Sequence, residues 1–436
     1  MDIYGWIDPK DPNNDQPRGY KRQTLMYEQN KKYWVKDIKG LATIVDSTQS
    51  NDYRTVFSSS RKYVPIFFDA FMKSAEIDAP DYEYYFNKSY EPGNIYFAGA
   101  QVISQEIFAE NGIIYQVDKV VEPLLNGEEL LSSSQSGNSY SDYLSLLHYF
   151  GTFTYNSNET QKLPGYAEGL VVDLLYDLHY PNLVFDVQSE LTGPGVTSSI
   201  YTIRYQYGLV APTNDALQKL YDDVVTSKSG YPHWGSASVL PDNVKLIIVG
   251  SHMSLDPVYP ANINKGFING EKDIVLLDPS SVIQKSYGSN CTFIGVKQAI
   301  IPRAFSSVTG PVYLRPGFSV FRQAMEYTNI LSAVKKKNAN YAFFVVPDDV
   351  ISFDSSLIVQ TINERQFSLQ SYSQSELRMI KRTTNDLTIQ LLNQVGTKIP
   401  TGIPKKEFIP NLNGNFIVYE SDKNLVVGER LQNSDI

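Results

Sequence analysis

The clearest pattern of apolar and polar positions lies at Tyr207–Leu220, where an apolar run meets a proline and helical spacing follows. Pro212 ends the predicted strand because proline has no N–H to donate to a sheet. Thr213 or Asn214 can then accept hydrogen bonds from the first N–H groups of a helix. The apolar positions of that helix share one face: Ala216, Leu217 and Leu220. The segment therefore predicts a strand that leads directly into an amphipathic helix.

Parts of this pattern recur along the chain. Tyr341–Ile351 again joins an aromatic-rich apolar run to a proline, with Pro347 at the place of Pro212. A second pattern, a polar turn before an alternating run that ends at proline, occurs at Asn111–Pro123 and at Asn290–Pro302. The offset is 290 − 111 = 179 positions without a gap, and it aligns Val117 with Val296 and Pro123 with Pro302. Two kinds of segment that recur at domain-sized distances indicate tandem domains.

The boxes and the segments between them predict three units, at 1–126, 138–305 and 306–436. The first unit lacks a recognisable strand-to-helix box and the third lacks its last strand, so we expect the gene to extend in both directions. Within Tyr63–Ala75 a helix is predicted after Pro65, and further helices are predicted at Ser141–Phe150 and at Gly165–Leu178. Pro241–Val249 is predicted to continue the core, and the residues Phe318, Phe321, Met325 and Leu331 to form one helix face.

Composition narrows the class of protein. Hydrophobic residues make up 42% and charged residues 19% of the 436 positions, which is typical of a globular chain. The formal net charge of −9 argues against nucleic acid, whose phosphates need a basic surface. Tyrosine occurs 31 times, and packing within sheets is the favoured explanation over exposed binding surfaces. No apolar run is long enough for a membrane span, and no signal peptide is visible.

The search for chemistry along the chain finds no catalytic motif, metal site or cofactor-binding fingerprint. The four histidines have no spacing typical of metal ligands. The single cysteine, Cys291, is predicted to be a buried, inert thiol. A loose cation site at Asp8, Asp11 and Asp15 is conceivable, but a solvated loop is favoured. Acidic pairs at Asp222-Asp223 and Asp348-Asp349 are interpreted as favourable charges at helix starts.

The two kinds of box resemble the fasciclin family. Its first box has the form T-x-F-A-P-T-(D/N)-x-A-F, which GLVAPTNDAL at Gly208–Leu217 approaches. Its second box has the form N-G-x-I-x-V-I-D-x-V-L-x-P, which Asn111–Pro123 matches. His252 stands where the family has a Tyr-His motif, although the tyrosine is missing. The signature residues carried by the resemblance are Asn111, Gly112, Val117, Asp118, Pro123, Ala211, Pro212, Thr213, Asn214, Asn290, Val296, Pro302 and Pro347.

The resemblance implies an α+β fold of tandem fasciclin-like domains, each a compact wedge of two β-sheets with packed helices. The boxes would supply central core strands. The implied function is a non-enzymatic secreted or cell-surface protein that mediates adhesion by binding an extracellular protein or polysaccharide, with no cofactor. The long insertions look similar to those of fasciclin-domain surface lipoproteins of Bacteroidetes-type bacteria, whose lipid anchor would lie upstream of Met1. A structural spacer in a surface complex and a carbohydrate-active enzyme remain open as alternatives.

Two groups of residues are candidates for ligand binding. The family's adhesion motifs imply Ser251, His252 and Met253, although a hydrogen-bonded structural role is favoured for His252. The second group is an aromatic cluster in a Gly/Pro loop, Tyr231, His233 and Trp234. Such a cluster could stack on a sugar ring, but a packed loop anchor is the favoured interpretation.

Overall fold

A computed structural model describes residues 21–23, 27–34, 53–60, 62–104, 106–133, 137–189, 206–226, 233–327, 330–336, 340–343, 345, 347–348, 388–391, 406–410, 416–420 and 429–430. The fold is mixed α+β with several small sheets. The chain divides into two compact units. The first comprises Met1–Gln218 and Val249–Ile300, and the second Lys219–Ile248 and Ile301–Ile436. The predicted tandem domains and their boundaries stay predictions.

The first unit holds most of the strands. They are β1 Lys21–Gln23, β2 Tyr27–Trp34, β3 Tyr53–Ser60, β4 Tyr63–Phe67, β5 Tyr96–Phe97, β6 Ala100–Gln101, β7 Ile107–Ala109, β8 Gly112–Ile114, β9 Thr152–Tyr155, β10 Tyr176–His179, β11 Tyr207–Pro212, β12 Met253–Ser254, β13 Phe267–Ile268, β14 Ile274–Val275, β15 Val282–Tyr287 and β16 Cys291–Val296. They form sheets in the orders β1-β4-β5-β6, β3-β2-β10-β9 and β12-β11-β16-β15, with β7-β8 and β13-β14 as two-stranded ribbons.

The helices of the first unit are short. They are α1 Asp69–Ser74, α2 Ala79–Phe86, α3 Gly127–Ser132, α4 Ser141–His148, α5 Ser157–Thr160 and α8 Pro260–Lys265. Two further helices, α6 Asn214–Leu220 and α7 Asp242–Ser251, contain the points at which the division into units falls.

The central sheet of the first unit joins the two predicted boxes. Strands β11 and β16 run parallel, with Tyr207 opposite Cys291 and Pro212 opposite Val296. All residues of β16 are buried, as expected for a continuous apolar strand that is covered on both faces. At Gly295 a Cβ atom would lie 2.0 Å from the Tyr140 hydroxyl, so the absence of a side chain admits that ring. The prediction that the boxes at Tyr207–Leu217 and Asn290–Pro302 supply central strands is confirmed by their burial.

A tyrosine-rich cluster forms a second core in the first unit. Its buried aromatic members are Phe67, Tyr82, Tyr85, Tyr90, Tyr96, Tyr259 and Tyr287. The tyrosine hydroxyl groups have partners. That of Tyr82 donates to the Ala98 carbonyl at 2.9 Å, and that of Tyr85 donates to the Val258 carbonyl. Packing in the interior therefore accounts for these tyrosines, which is the explanation favoured over exposed binding surfaces in the sequence analysis.

The second unit begins its helical part at α9 Arg303–Ser306 and α10 Gly310–Tyr313, followed by α11 Ser319–Tyr327 and α12 Ile330–Val334. Its strands are β17 Asn340–Phe343, β18 Thr388–Leu391, β19 Lys406–Pro410, β20 Phe416–Glu420 and β21 Glu429–Arg430. They form the sheets β17-β18 and β19-β20-β21. Of the predicted helix face, Phe321 and Met325 are buried on α11, whereas Phe318 precedes this helix and Leu331 lies on α12.

Several sequence expectations are wrong. Gly165–Leu178 is not a helix: Gly165 and Gly169 have φ of +91° and +74°, which helices exclude, and the segment leads through turns into β10. Tyr63–Ala75 begins as β4 and becomes helical only at Asp69. Asp222 and Asp223 lie in the π-helical turn Tyr221–Val225 after α6, not at a helix start.

Candidate functional site

An open groove lies beside the β7–β8 ribbon of the first unit. Its volume is about 450 Å³. One wall is the turn at residues 93–95, and the other side chains come from the ribbon and its extension: Val102, Ser104, Glu106, Phe108 and Tyr115. A groove of this size is within the range of small-ligand and side-chain sites.

The local sequence explains the ribbon. The two-residue turn Glu110-Asn111 joins β7 to β8, since Ala109 pairs with Gly112. Asparagine is one of the residues that favour turns. Ile107 pairs with Ile114. Beyond this pair the Ile103 amide donates to the Gln116 carbonyl at 2.9 Å, so the two segments stay together towards the base. Four residues at every second position, Val102, Ser104, Glu106 and Phe108, line the groove, and Phe108 lies on β7.

A carboxylate in the groove is held in place from across the ribbon. The Tyr115 hydroxyl donates to Glu106 Oε1 at 2.7 Å. The Gln116 amide donates to the Ser104 hydroxyl oxygen at 3.1 Å. Phe108 is 75% exposed. The groove thus combines an oriented carboxylate with an uncovered aromatic ring.

The opposite wall is fixed by two carboxylates. The Gly93 amide donates to Asp69 Oδ2 at 2.8 Å, and the Asn94 side-chain amide donates to Glu91 Oε2 at 3.0 Å. The Val102 amide donates to the Ile95 carbonyl at 2.8 Å, which joins this turn to the base of the ribbon.

A further carboxylate anchors the base of the ribbon. Asp118 Oδ1 accepts the Gln101 amide at 2.8 Å, and Asp118 Oδ2 accepts Lys88 Nζ. The hydrogen bond from Lys88 holds the pKa of Asp118 below its usual range, and the Gln101 amide adds to this effect. Asp118, one of the predicted signature residues, therefore anchors the base of the ribbon.

The predicted second box at Asn111–Pro123 therefore needs correction. It does not supply a core strand: among the described strands β8 pairs only with β7, and the box residues Asn111, Gly112, Ile114 and Asp118 are exposed. Val117 makes an isolated bridge with Val102, and Pro123 lies in the extended segment before α3. The chain reverses at Glu110-Asn111, so that Gly112–Ile114 pairs back with Ile107–Ala109 instead of entering the central sheet.

The equivalent box at Asn290–Pro302 is a core element. Asn290 Nδ2 donates to the carbonyls of Val187 at 2.9 Å and Ser189 at 3.0 Å, and Asn290 Oδ1 accepts the Gly127 amide at 3.0 Å. Val296 is buried at the end of β16, and Pro302 directly precedes α9. Cys291 is a buried free thiol, as predicted.

The first box keeps its predicted local structure. Ala211 and Pro212 are buried at the end of β11, and the Ala216 amide donates to Thr213 Oγ1 at 3.2 Å, so Thr213 caps α6. Asn214 does not cap its own helix. Its Oδ1 accepts the amide of Asp142 at 3.1 Å and thereby bonds to the first turn of α4.

The structure describes only part of the predicted box at Tyr341–Ile351. Pro347 is exposed. Asp348 Oδ2 accepts the amide and hydroxyl of Ser319 at 2.8 and 2.6 Å, so this carboxylate lies at the start of α11. The helix start predicted after Pro347 lies outside the described residues. Asp349 and the cation candidates Asp8, Asp11 and Asp15 lie outside the described residues.

Ser251, His252 and Met253 are in the interior, each 0% exposed. His252 Nε2 accepts the Ile300 amide at 2.9 Å, and its ring lies 5.6 Å from that of Tyr143. His252 thus has a hydrogen-bonded, packed position in the interior. Because all three residues are buried, they offer no surface for a macromolecular ligand in this structure, and their predicted contact with one stays a prediction.

Trp234 anchors its loop in the second unit. Its Nε1 donates to the Tyr313 carbonyl at 2.8 Å, and the Arg322 guanidinium lies 5.9 Å from the centre of its ring. This is the packed loop anchor that the sequence favoured over a sugar platform. His233 is half-buried beside it, and Tyr231 lies outside the described residues.

The described residues bring some titratable groups together without forming a metal site. His148 Nε2 lies 3.5 Å from Glu128 Oε1, and the Tyr180 hydroxyl donates to Glu128 Oε2 at 2.8 Å. Burial raises the pKa of Tyr180 well above its usual range, and Glu128 adds to the shift. His148 is buried against the rings of Trp34 and Tyr180, which accounts for the cluster as core packing. Within the described ranges, His, Cys, Asp and Glu nowhere gather in threes as metal ligands would.

In the part of the chain that the structure describes, helices that could cross a membrane are absent. No family model matches the chain, and no curated protein matches it. Among solved structures, the chain is similar to a FAS1 domain pair from the insect cell adhesion molecule Fasciclin I, at 10% identity and a TM-score of 0.18. The match covers 49% of this chain and 79% of that one. A likeness at this TM-score carries no argument, so the fold is described from the chain itself as mixed α+β, built from several small sheets.

Proposed function

We propose that this protein is a non-enzymatic binding protein of the cell surface or extracellular space, and that the groove beside β7–β8 engages an extracellular macromolecule. The observation that carries the proposal is the exposed apolar surface of the ribbon. Phe108 lies open on the groove side, and Ile103, Ile107 and Ile114, which do not line the groove, are half-exposed beside it.

Exposed apolar surface on a two-stranded ribbon needs an explanation. An isolated hairpin is marginally stable in water, and apolar side chains on it gain most when another surface covers them. Contiguous exposed apolar patches beside polar groups are typical of interaction sites. The wall at residues 93–95 and the carboxylate of Glu106 add the polar contacts that give such a surface selectivity.

Extracellular and cell-surface location is part of the same proposal. It rests on the sequence resemblance and on a net charge that disfavours nucleic acid partners. Adhesion to a protein or a polysaccharide is the corresponding activity.

The test is a screen of immobilised extracellular-matrix proteins and polysaccharides with the purified chain and two variants. Phe108→Ala should weaken binding of the captured ligand by about 5- to 30-fold, the loss expected when an interface aromatic is truncated. Ile274→Ala is the matched control, because Ile274 is 74% exposed on the other ribbon of the same unit and should leave binding unchanged. Equal binding by all three proteins would refute the groove as the binding site.

A further inference from the structure

We infer that the groove binds an extended peptide segment through one lysine or arginine side chain, with Glu106 receiving the cation and Phe108 covering its aliphatic stem. The inference rests on the proposed function and names the class of ligand that the same groove would take.

The carboxylate of Glu106 is prepared for a cation. Its Oε1 already accepts the Tyr115 hydroxyl, which fixes the plane of the group. Within the described contacts its Oε2 has no partner of its own, so this oxygen can accept an ammonium or guanidinium N–H. A hydrogen bond to a charged group contributes more than one between neutral groups.

The aromatic ring of Phe108 lies in the right place for the rest of such a side chain. It is two residues from Glu106 on the same side of the extended segment, which corresponds to about 7 Å along the chain. Lysine and arginine carry apolar stems that lie along apolar surface while the charge reaches a polar partner. A cation near the ring face is also attracted by the ring.

The spacing along the groove suits an extended chain. The groove-facing residues of the ribbon recur at every second position: Val102, Ser104, Glu106 and Phe108. A peptide in the same extended form presents its own side chains at this period. One of its residues can thus meet Glu106 while its neighbours two positions away meet Phe108 or Ser104.

The charge around the groove also favours a basic ligand. Its lining contains the carboxylate of Glu106 and neither lysine nor arginine. Glu91 lies behind Asn94 and accepts its side-chain amide. The nearby cation Lys88 is paired with Asp118. A sugar hydroxyl can also donate to a carboxylate, but a lysine or arginine adds the attraction between opposite charges, so a basic peptide is the occupant that the chemistry favours.

The experiment measures binding of a fluorescein-labelled peptide of alternating lysine and threonine by fluorescence anisotropy. Glu106→Gln keeps an oxygen for the Tyr115 hydroxyl but removes the charge. It should weaken binding about tenfold or more, the factor expected for a hydrogen bond between charged groups. Glu110→Gln removes the same charge from the same ribbon outside the groove, and it should change the Kd by less than about twofold.

Acetylation of the peptide lysines supplies the second arm. The acetylated peptide should bind the native chain as weakly as the unmodified peptide binds Glu106→Gln, and the variant should not distinguish the two peptides. Equal binding of acetylated and unmodified peptide by the native chain would overturn the inference. If instead dextran bound in a manner that needs Phe108 but not Glu106, the basic-peptide inference would fall while the proposed function stood. If no bound macromolecule depended on Phe108, the proposed function itself would fail.

Discussion

Two segments of the first unit share one sequence pattern and have opposite environments. Asn290–Pro302 begins with a buried asparagine and forms β16 in the middle of the central sheet. Asn111–Pro123 begins at an exposed turn and forms the outer strand β8 of a two-stranded ribbon. Under the offset of 179 positions, Phe293 corresponds to Ile114, and their exposures are 0% and 55%.

The difference shows that alternation of apolar residues determines an extended strand but does not determine its neighbours. Strand β16 has β11 on one side and β15 on the other, and helix and loop residues cover its faces. Strand β8 has β7 as its one neighbour among the strands that the structure describes. We therefore expect the first copy to contribute mainly to folding and the second mainly to binding.

The largest effect should come from the aligned apolar pair. Phe293→Ala should lower the free energy of unfolding by about 4 kcal/mol, because it leaves a cavity in a fully buried site. Ile114→Ala should change it by less than about 0.5 kcal/mol, since the side chain is already half in water. Urea denaturation followed by tyrosine and tryptophan fluorescence measures both. Similar losses in the two variants would contradict the assignment of the ribbon to the surface.

The aligned asparagines should differ by somewhat less. Asn290→Ala removes the partners of the Gly127 amide and of the carbonyls of Val187 and Ser189, and a buried polar group without a partner is costly. We expect a loss of about 3 kcal/mol in the free energy of unfolding, against less than about 0.5 kcal/mol for Asn111→Ala. The same urea denaturation measures this pair. A small loss for Asn290→Ala would mean that water replaces the side chain at this junction.

The smallest effect is local and depends on pH. Because the pKa of Asp118 is lowered in the folded chain, its contribution is fully present above the pKa of a free aspartate and is lost as pH falls through the lowered value. We expect the protection of the Gln101 amide, which donates to Asp118, to fall on acidification. Hydrogen exchange followed by NMR measures this as the observed rate relative to the intrinsic rate at each pH, with Asp118→Asn as the control that should show no such step. An unchanged protection of Gln101 in the native chain would show that the ribbon does not depend on this anchor.

The sequence was informative where local chemistry decides the structure. The proline after Val210 and Ala211, with Thr213 behind it, predicts both the strand and the helix cap, because these features involve residues close together in the chain. The burial of Cys291 and the structural role of His252 also follow from residue type and apolar surroundings.

Other features depended on signals that were given the wrong weight. Asn111-Gly112 between alternating residues is a hairpin signal, but its likeness to a family box led to a predicted core strand. Gly165 and Gly169 stand within an apparently amphipathic run, and their positive φ angles break the predicted helix. Glycine inside a helical pattern was the available warning.

The groove could not have been predicted from the sequence in this way. It needs the turn at residues 93–95 beside the ribbon, and that arrangement depends on the Val102 amide, Asp69 and Asp118 acting between separate segments. Exposure of Phe108 is likewise a property of the assembled fold. The alternation from Val102 to Phe108 was visible, but nothing in it indicates which side stays open.

The buried amide of Asn290 has a consequence for how the chain can be produced. Asn290-Cys291-Thr292 is an acceptor sequence for N-linked glycosylation in a eukaryotic secretory pathway. A sugar on Nδ2 would occupy the space in which this atom donates to the Val187 and Ser189 carbonyls. Glycans attached before folding at this position would therefore prevent β16 from closing, whereas Asn87 and Asn158 are exposed and could carry them. In a host without this modification, every copy of the chain can form the central sheet.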